Sequence, residues 1–176
     1  MEKQAANIKK TAISALFTAV IAVVSQISFM TPLGVPVTFQ TFAIALCGYV
    51  LGIRAGLAST AVYIFLGAVG LPVFSGFRGG FQHIFGATGG FIFGFLLLTL
   101  MCSLGSRYEK KYIKLFCGFV GLILCHIVGV LQFAFVTSGG ILEAFVAASL
   151  PFVIKDAILI FVAAFISDRI VILKFV

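Results

Sequence analysis

From Phe116 to Val136 the chain reads "FCGFVGLILCHIVGVLQFAFV", twenty-one residues without a formal charge. Runs of this kind recur along the whole chain, broken only by glycine, proline or an isolated charge. A segment that long and that apolar is a candidate for a membrane-spanning helix, because about 20 residues at 1.5 Å each cross the hydrocarbon core. Composition makes the same demand. The 176 residues are 62% hydrophobic and 10% charged, with a mean hydropathy of +1.25. A soluble domain of this size cannot hide so much apolar surface from water. The expected class is an all-α integral membrane protein embedded in a lipid bilayer, with no room left for a soluble domain.

Breaks in the apolar pattern predict six transmembrane helices near 11–30, 37–54, 55–71, 89–106, 114–137 and 144–170, forming one membrane domain over 1–176. Lys and Arg test that count. Lys3, Lys9, Lys10, Arg54, Arg107, Lys110, Lys111, Lys114, Arg169 and Lys174 fall on one side, Arg78 falls on the other, and Lys155 lies within a span. The positive-inside rule then places both termini in the cytoplasm, in the cell membrane. The basic N-terminal flank leads into an apolar run to Phe29 with no A-x-A-like cleavage site, which reads as a first span rather than a signal peptide. A net charge of +7 could suggest nucleic acid, but the basic residues are dispersed among loops with no aromatic interleaving, so no nucleic-acid partner is expected.

Other chemistries are excluded by their missing parts. There is no GxxxxGK[ST] motif and no GxGxxG in a βαβ setting, so any ATP must be hydrolysed by partner subunits. No metal-ligand spacing and no nucleophile–base pair can be named, so neither a metal, a cofactor nor an enzyme activity is expected. The four cysteines (Cys47, Cys102, Cys117, Cys125) are scattered in apolar stretches and read as reduced packing residues.

The second connection outside, Gly67 to Gly90, carries eight glycines in 24 residues together with Val69, Leu71, Val73, Phe74, Phe77, Phe81, Ile84 and Phe85. Irregular, apolar backbone of that kind is stable when it caps a cavity and buries its side chains there. The expectation is a glycine-rich outer lid between helices three and four; a merely structural loop is the alternative.

Within the spans, Lys155 and Asp156 are the conspicuous cost, since each mid-membrane charge is worth about 2.5–3.5 kcal/mol on insertion scales. Neighbours on a helix point about 100° apart, so the two are not expected to neutralise each other along a straight helix. A count from a helix start near Ala144 puts them about 16–18 Å deep, with Pro151 loosening the ladder above. Such residues mark a site by default, with a structural pair as the alternative. His126, with Gln132 six residues on, reads first as an interhelical hydrogen bonder. Gln40 serves either a pocket or a helix start. Arg78, with Gln82 and His83 nearby, suits a carboxylate-bearing ligand. Small residues recur on helix one (Thr11, Ala15, Ala19) and helix two (Gly48, Gly52, Gly56), and stripes of this kind allow close helix approach, internal or external.

Four blocks, "VPVTFQTFA", "GAVGLPVFSGFRGG", "FGATGGFIFGF" and "LPFVIKDAIL", together resemble the BioY-type biotin-binding S components of energy-coupling-factor transporters, over about Ala15 to Asp168. The resemblance implies a six-helix capture subunit whose outer loops close over biotin. It implies Gln40, Arg78, Gly79, Gly80, Gly89, Gly90 and Asp156 as pocket positions. It also implies docking through Ala15 and Ala19 to a membrane coupling subunit driven by two ATPases. Two positions depart from the pattern: Ala87 stands where the family's GPTGG has proline, and Leu159 stands where a lysine is usual, the lysine here being Lys155. The competing expectation is a proton-coupled secondary transporter of a small carboxylate-bearing solute, with Asp156 and His126 as relay. No inverted repeat or discontinuous helix is evident in the sequence to favour it.

Overall fold

The structure, a computed structural model, describes residues 2–30 and 36–170. Within them the chain forms α1 (Glu2–Ser25), β1 (Ser28–Met30), β2 (Pro36–Thr38), α2 (Gln40–Ala68), α3 (Phe81–Ile84), α4 (Gly89–Gly105), α5 (Lys111–Thr137), α6 (Ile141–Ala148) and α7 (Leu150–Arg169). Helix one therefore begins and ends earlier than its expected 11–30. Its last expected turn is instead a short strand, antiparallel to β2 with Phe29 opposite Val37, so the fold is mostly rather than wholly helical. Residues 31–35, expected in the first outer loop, and Lys174 lie outside the described residues.

The expected helices 37–54 and 55–71 are the two arms of α2. Between them Gly52 adopts φ 73°, ψ −174°, a conformation that only glycine takes without strain. The arms fold back on each other: Gln40 at the start of one donates to the hydroxyl of Tyr63 near the end of the other. Where α2 meets α4, Gly48 is needed for contact, since a Cβ there would stand 2.7 Å from the Thr99 carbonyl oxygen. Ser103 donates to the Gly48 carbonyl (3.0 Å), and the Thr60 and Thr99 hydroxyls share a bond of 2.9 Å. Apolar solvent gives helices little reason to associate, so small residues and hydroxyl bonds of this type hold them.

Against this packed stripe, the one on α1 is bare. Ala15 and Ala19 are exposed, while α1 attaches through its other face, where the Ser59 hydroxyl donates to the Ser14 carbonyl (3.0 Å) and the Ser25 and Tyr63 hydroxyls meet at 3.0 Å. The core sits where α1, α2, α4 and α7 converge, around the fully buried Ile21, Ile44, Tyr63, Leu98 and Ile160.

The last expected helix, 144–170, is discontinuous, contrary to the sequence expectation. It breaks at Ser149 (φ −125°, ψ −55°), which closes α6 and opens α7 just before Pro151. Proline at the first turn of α7 forfeits no bond the helix needs, so a break costs least there. Four helices are long and apolar enough to cross a membrane (7–25 of α1, then α2, α5 and α7), and α4 is apolar but shorter.

The lid expectation is half met. Gly67–Gly90 folds over one end of the bundle, with Phe74 and Arg78 bridged by paired backbone bonds of 2.9 and 3.2 Å. Of its large apolar side chains only Phe74 and Ile84 are buried among the described residues; Val73 is half-buried, and Val69, Leu71, Phe77, Phe81 and Phe85 are exposed. A loop at a membrane's outer face borders apolar solvent as well as a cavity, so its side chains have two ways out of water.

Candidate functional site

Beneath the lid lies a cavity of about 830 Å³, counting the space at its mouth. Its apolar walls come from Phe91 and Phe95 of α4, Leu122 of α5 and Phe152 of α7. Its polar groups come from three parts of the chain: Thr38 (β2) with Gln40 and Thr41 (α2), Ser75, Arg78 and His83 of the lid, and His126 (α5) with Lys155 and Asp156 (α7). A mostly apolar chamber with a few convergent polar groups is the usual form of a small-molecule site.

The charged pair contradicts the expectation that helix geometry keeps Lys155 and Asp156 apart. The Lys155 ammonium lies 2.5 Å from Asp156 Oδ1 and also donates to the Thr38 carbonyl at 2.6 Å. Their Cα–Cβ directions do diverge, but four methylenes let the ammonium swing back across that angle. Asp156 Oδ2 faces His126 Nε2 at 3.4 Å, and His126 Nδ1 and the Ser149 hydroxyl are 2.7 Å apart. An ammonium has three N–H donors. Two are used here, leaving Lys155 one to offer a ligand, while Asp156 keeps spare lone pairs. On the lid wall the buried Ser75 hydroxyl has no partner, another group that a ligand could satisfy.

Gln40 lines the cavity, as expected, though its amide nitrogen is committed to Tyr63, whose hydroxyl in turn donates to the Val73 carbonyl of the lid (3.2 Å). Arg78 is exposed at the mouth and has no ion pair among the described residues. Partial burial and the Arg78 guanidinium beside it push His83 below the usual histidine range. The four glycines do not line the cavity; they shape what does. Gly80 (φ 103°) donates to the Gly67 carbonyl at 2.7 Å, and Gly79 runs against the backbone of Gly70 and Leu71. Gly89 and Gly90 are pressed against the Ile84 and Val128 carbonyls, which seats the lid's end on α5.

Two glutamines overlooked as site elements in the sequence clamp that lid. Gln26, just past the end of α1, donates to the Val73 carbonyl (3.1 Å), and its oxygen accepts from the Phe77 amide (2.8 Å). Gln132 of α5 donates to the carbonyls of Ile84 and Gly86, both at 2.8 Å. Thr38, Thr41, Ser75 and Phe91 were also missed; hydroxyls and a phenylalanine in a chain with 21 phenylalanines carry no local signal.

Residues 1–173 match the BioY family. A probable biotin transporter BioY from Pyrococcus horikoshii is 39% identical over 163 residues, covering 92% of this chain and 95% of that one. The biotin transporter BioY of Thermotoga maritima is 40% identical over 156 residues, covering 88% and 90%. Among solved structures, the S-component for biotin from an ECF-type ABC transporter superposes with a TM-score of 0.87 at 23% identity. That alignment covers 97% of this chain and 93% of the other, and shows the shared fold.

Proposed function

The chain belongs to the BioY family, and from that premise we propose that it captures biotin at the outer face of the cell membrane for an ATP-driven transporter of the energy-coupling-factor type. The observation that carries the reading is the unfilled Lys155–Asp156 pair on the wall of an apolar cavity. Biotin has a neutral ureido head with two N–H donors and a carbonyl acceptor, an apolar thioether ring and a valerate tail. Asp156 accepts a ureido N–H, and the remaining Lys155 N–H donates to the ureido oxygen. The phenylalanine walls take the ring and tail, and Arg78 meets the carboxylate at the mouth. Gly79, Gly80, Gly89 and Gly90 serve by giving the lid its path, and Gln40 by tying α2 to it through Tyr63.

The topology that goes with this reading has six crossings: α1, the two arms of α2, α4, α5 and α6 with α7. Both termini are cytoplasmic. Gly52 and the Lys114–Asp168 pair then sit at the inner end, opposite the lid. The exposed Ala15 and Ala19 offer the surface on which a coupling subunit, itself driven by two ATPases, approaches closely. ATP is consumed by those partners.

Titration of the purified protein with labelled biotin tests the assignment. Saturable binding displaced by unlabelled biotin supports it, and no binding overturns it. The break at Ser149 beside the His126–Asp156 contact favours one second reading, a proton-coupled transporter of a small carboxylate-bearing solute. Uptake that collapses with an uncoupler while ATP is maintained would establish that reading; uptake that follows ATP excludes it.

A further inference from the structure

We infer that His126 is a positioning residue of the binding site, holding the Asp156 carboxylate in register for the ligand by bridging it to Ser149 at the break between α6 and α7. The inference rests on the biotin-binding reading above.

The geometry is a three-member chain. Asp156 in its ionised form can only accept, so the contact at 3.4 Å needs the hydrogen on His126 Nε2, which leaves Nδ1 to accept from the Ser149 hydroxyl at 2.7 Å. Ser149 is fully buried and His126 nearly so, and the edge of the Phe91 ring packs on the imidazole with centroids 5.6 Å apart. Behind them, between α5 and α6, lies an apolar hollow walled by residues such as Ile127, Val130 and Phe145. Neither ring nitrogen has another polar side chain to turn to, so the imidazole is fixed at both ends.

The consequence falls on Asp156. Lys155 grips Oδ1 tightly, while His126 reaches Oδ2 at 3.4 Å, the long end of hydrogen-bonding range. Oδ2 is therefore oriented yet still open to a ligand N–H. Without His126 the carboxylate keeps only Lys155 and the Thr41 hydroxyl as partners, and it can turn about its Cβ–Cγ bond toward the ammonium. Ser149 adds a further link, because its own placement is set by the helix break; a continuous helix over 144–170 would carry that hydroxyl elsewhere.

The test compares biotin titrations and thermal midpoints of wild type, His126→Phe, His126→Gln and Ser149→Ala. His126→Phe should weaken binding about tenfold. His126→Gln, which keeps one donor and one acceptor, should recover part of that loss, and Ser149→Ala should weaken binding a few-fold. In an Asp156→Asn background His126→Phe should cost little more, because the group it positions is already altered. Wild-type affinity in His126→Phe overturns the inference, and so does an equal loss in the Asp156→Asn background. If His126→Phe does not fold, unaltered affinity in both Ser149→Ala and His126→Gln overturns it. A wild type that fails to bind biotin overturns the functional reading and this inference together, whereas a binding wild type with an indifferent His126 overturns this inference alone.

Discussion

At opposite ends of the bundle, a lysine meets an aspartate, and the two meetings differ in what is left over. Lys114 of α5 is buried, and all three of its donors are placed: the Ala164 carbonyl at 3.2 Å, the Ser167 hydroxyl at 2.6 Å and Asp168 Oδ1 at 2.6 Å. Its ammonium also sits 5.0 Å from the centre of the Tyr49 ring, and the Tyr49 hydroxyl donates to the Lys114 carbonyl. Lys155 at the lid end spends two donors and borders a cavity. A buried lysine with every donor placed fixes helices to each other. An unsaturated one is poised to complete itself with something else. Charge and burial alone do not separate structure from site; the count of unused donors and acceptors does.

That distinction can be broken or sharpened by substitution. The largest separation of effects is expected from the double change Ala15→Leu with Ala19→Leu. Cellular uptake should fall close to background, and the coupling subunit should no longer co-purify, while biotin affinity stays near wild type. Loss of affinity along with uptake would tie the stripe to the binding end. Next, Asp156→Asn should weaken biotin binding at least tenfold while the protein still inserts, in line with roughly 1.5–3 kcal/mol for a charged hydrogen bond. An unchanged titration would place the outer pair with the structural one.

Lys114→Met should do the reverse. Stability drops by about 1–3 kcal/mol, since Asp168, the Ser167 hydroxyl and the Ala164 carbonyl lose their shared donor, and Asp168 is partly solvated. Biotin affinity should not change; a parallel loss would show that the inner pair is coupled to the cavity. The smallest effect is expected for Arg78→Ala: a few-fold weaker binding of biotin and almost none for a biotin amide that lacks the carboxylate. Equal losses for both ligands would assign the Arg78 side chain to the structure of the lid instead.

The parts legible in the sequence were those with long-range regularity or high cost. Apolar runs announced the helices, and the cost of charge in lipid singled out Lys155 and Asp156. The unread parts depended on what a side chain meets in three dimensions. Lys114 looked like one more topological charge beside Lys110 and Lys111, because burial by a neighbouring helix leaves no trace in its own. Pro151 hinted at a loosened helix, but the break falls at Ser149, where a buried histidine supplies the hydroxyl's partner. Nothing in the sequence marks Gln26 or Gln132 as a lid clamp; their partners are backbone groups roughly fifty residues away. The expected separation of Lys155 from Asp156 failed because angular spacing describes Cβ positions and a lysine ends far from its own.

The exposed phenylalanines of Gly67–Gly90 bear on how a lid built this way would respond to temperature. Exposing apolar surface to water is what gives an opening step a large positive heat capacity, at roughly 0.45 cal/K/mol for each Å². Among the described lid residues Phe77, Phe81 and Phe85 are outside already, so release of the glutamine clamps uncovers chiefly Phe74 and Ile84. The closed–open balance of such a lid changes little in steepness between a cold habitat and a hot one.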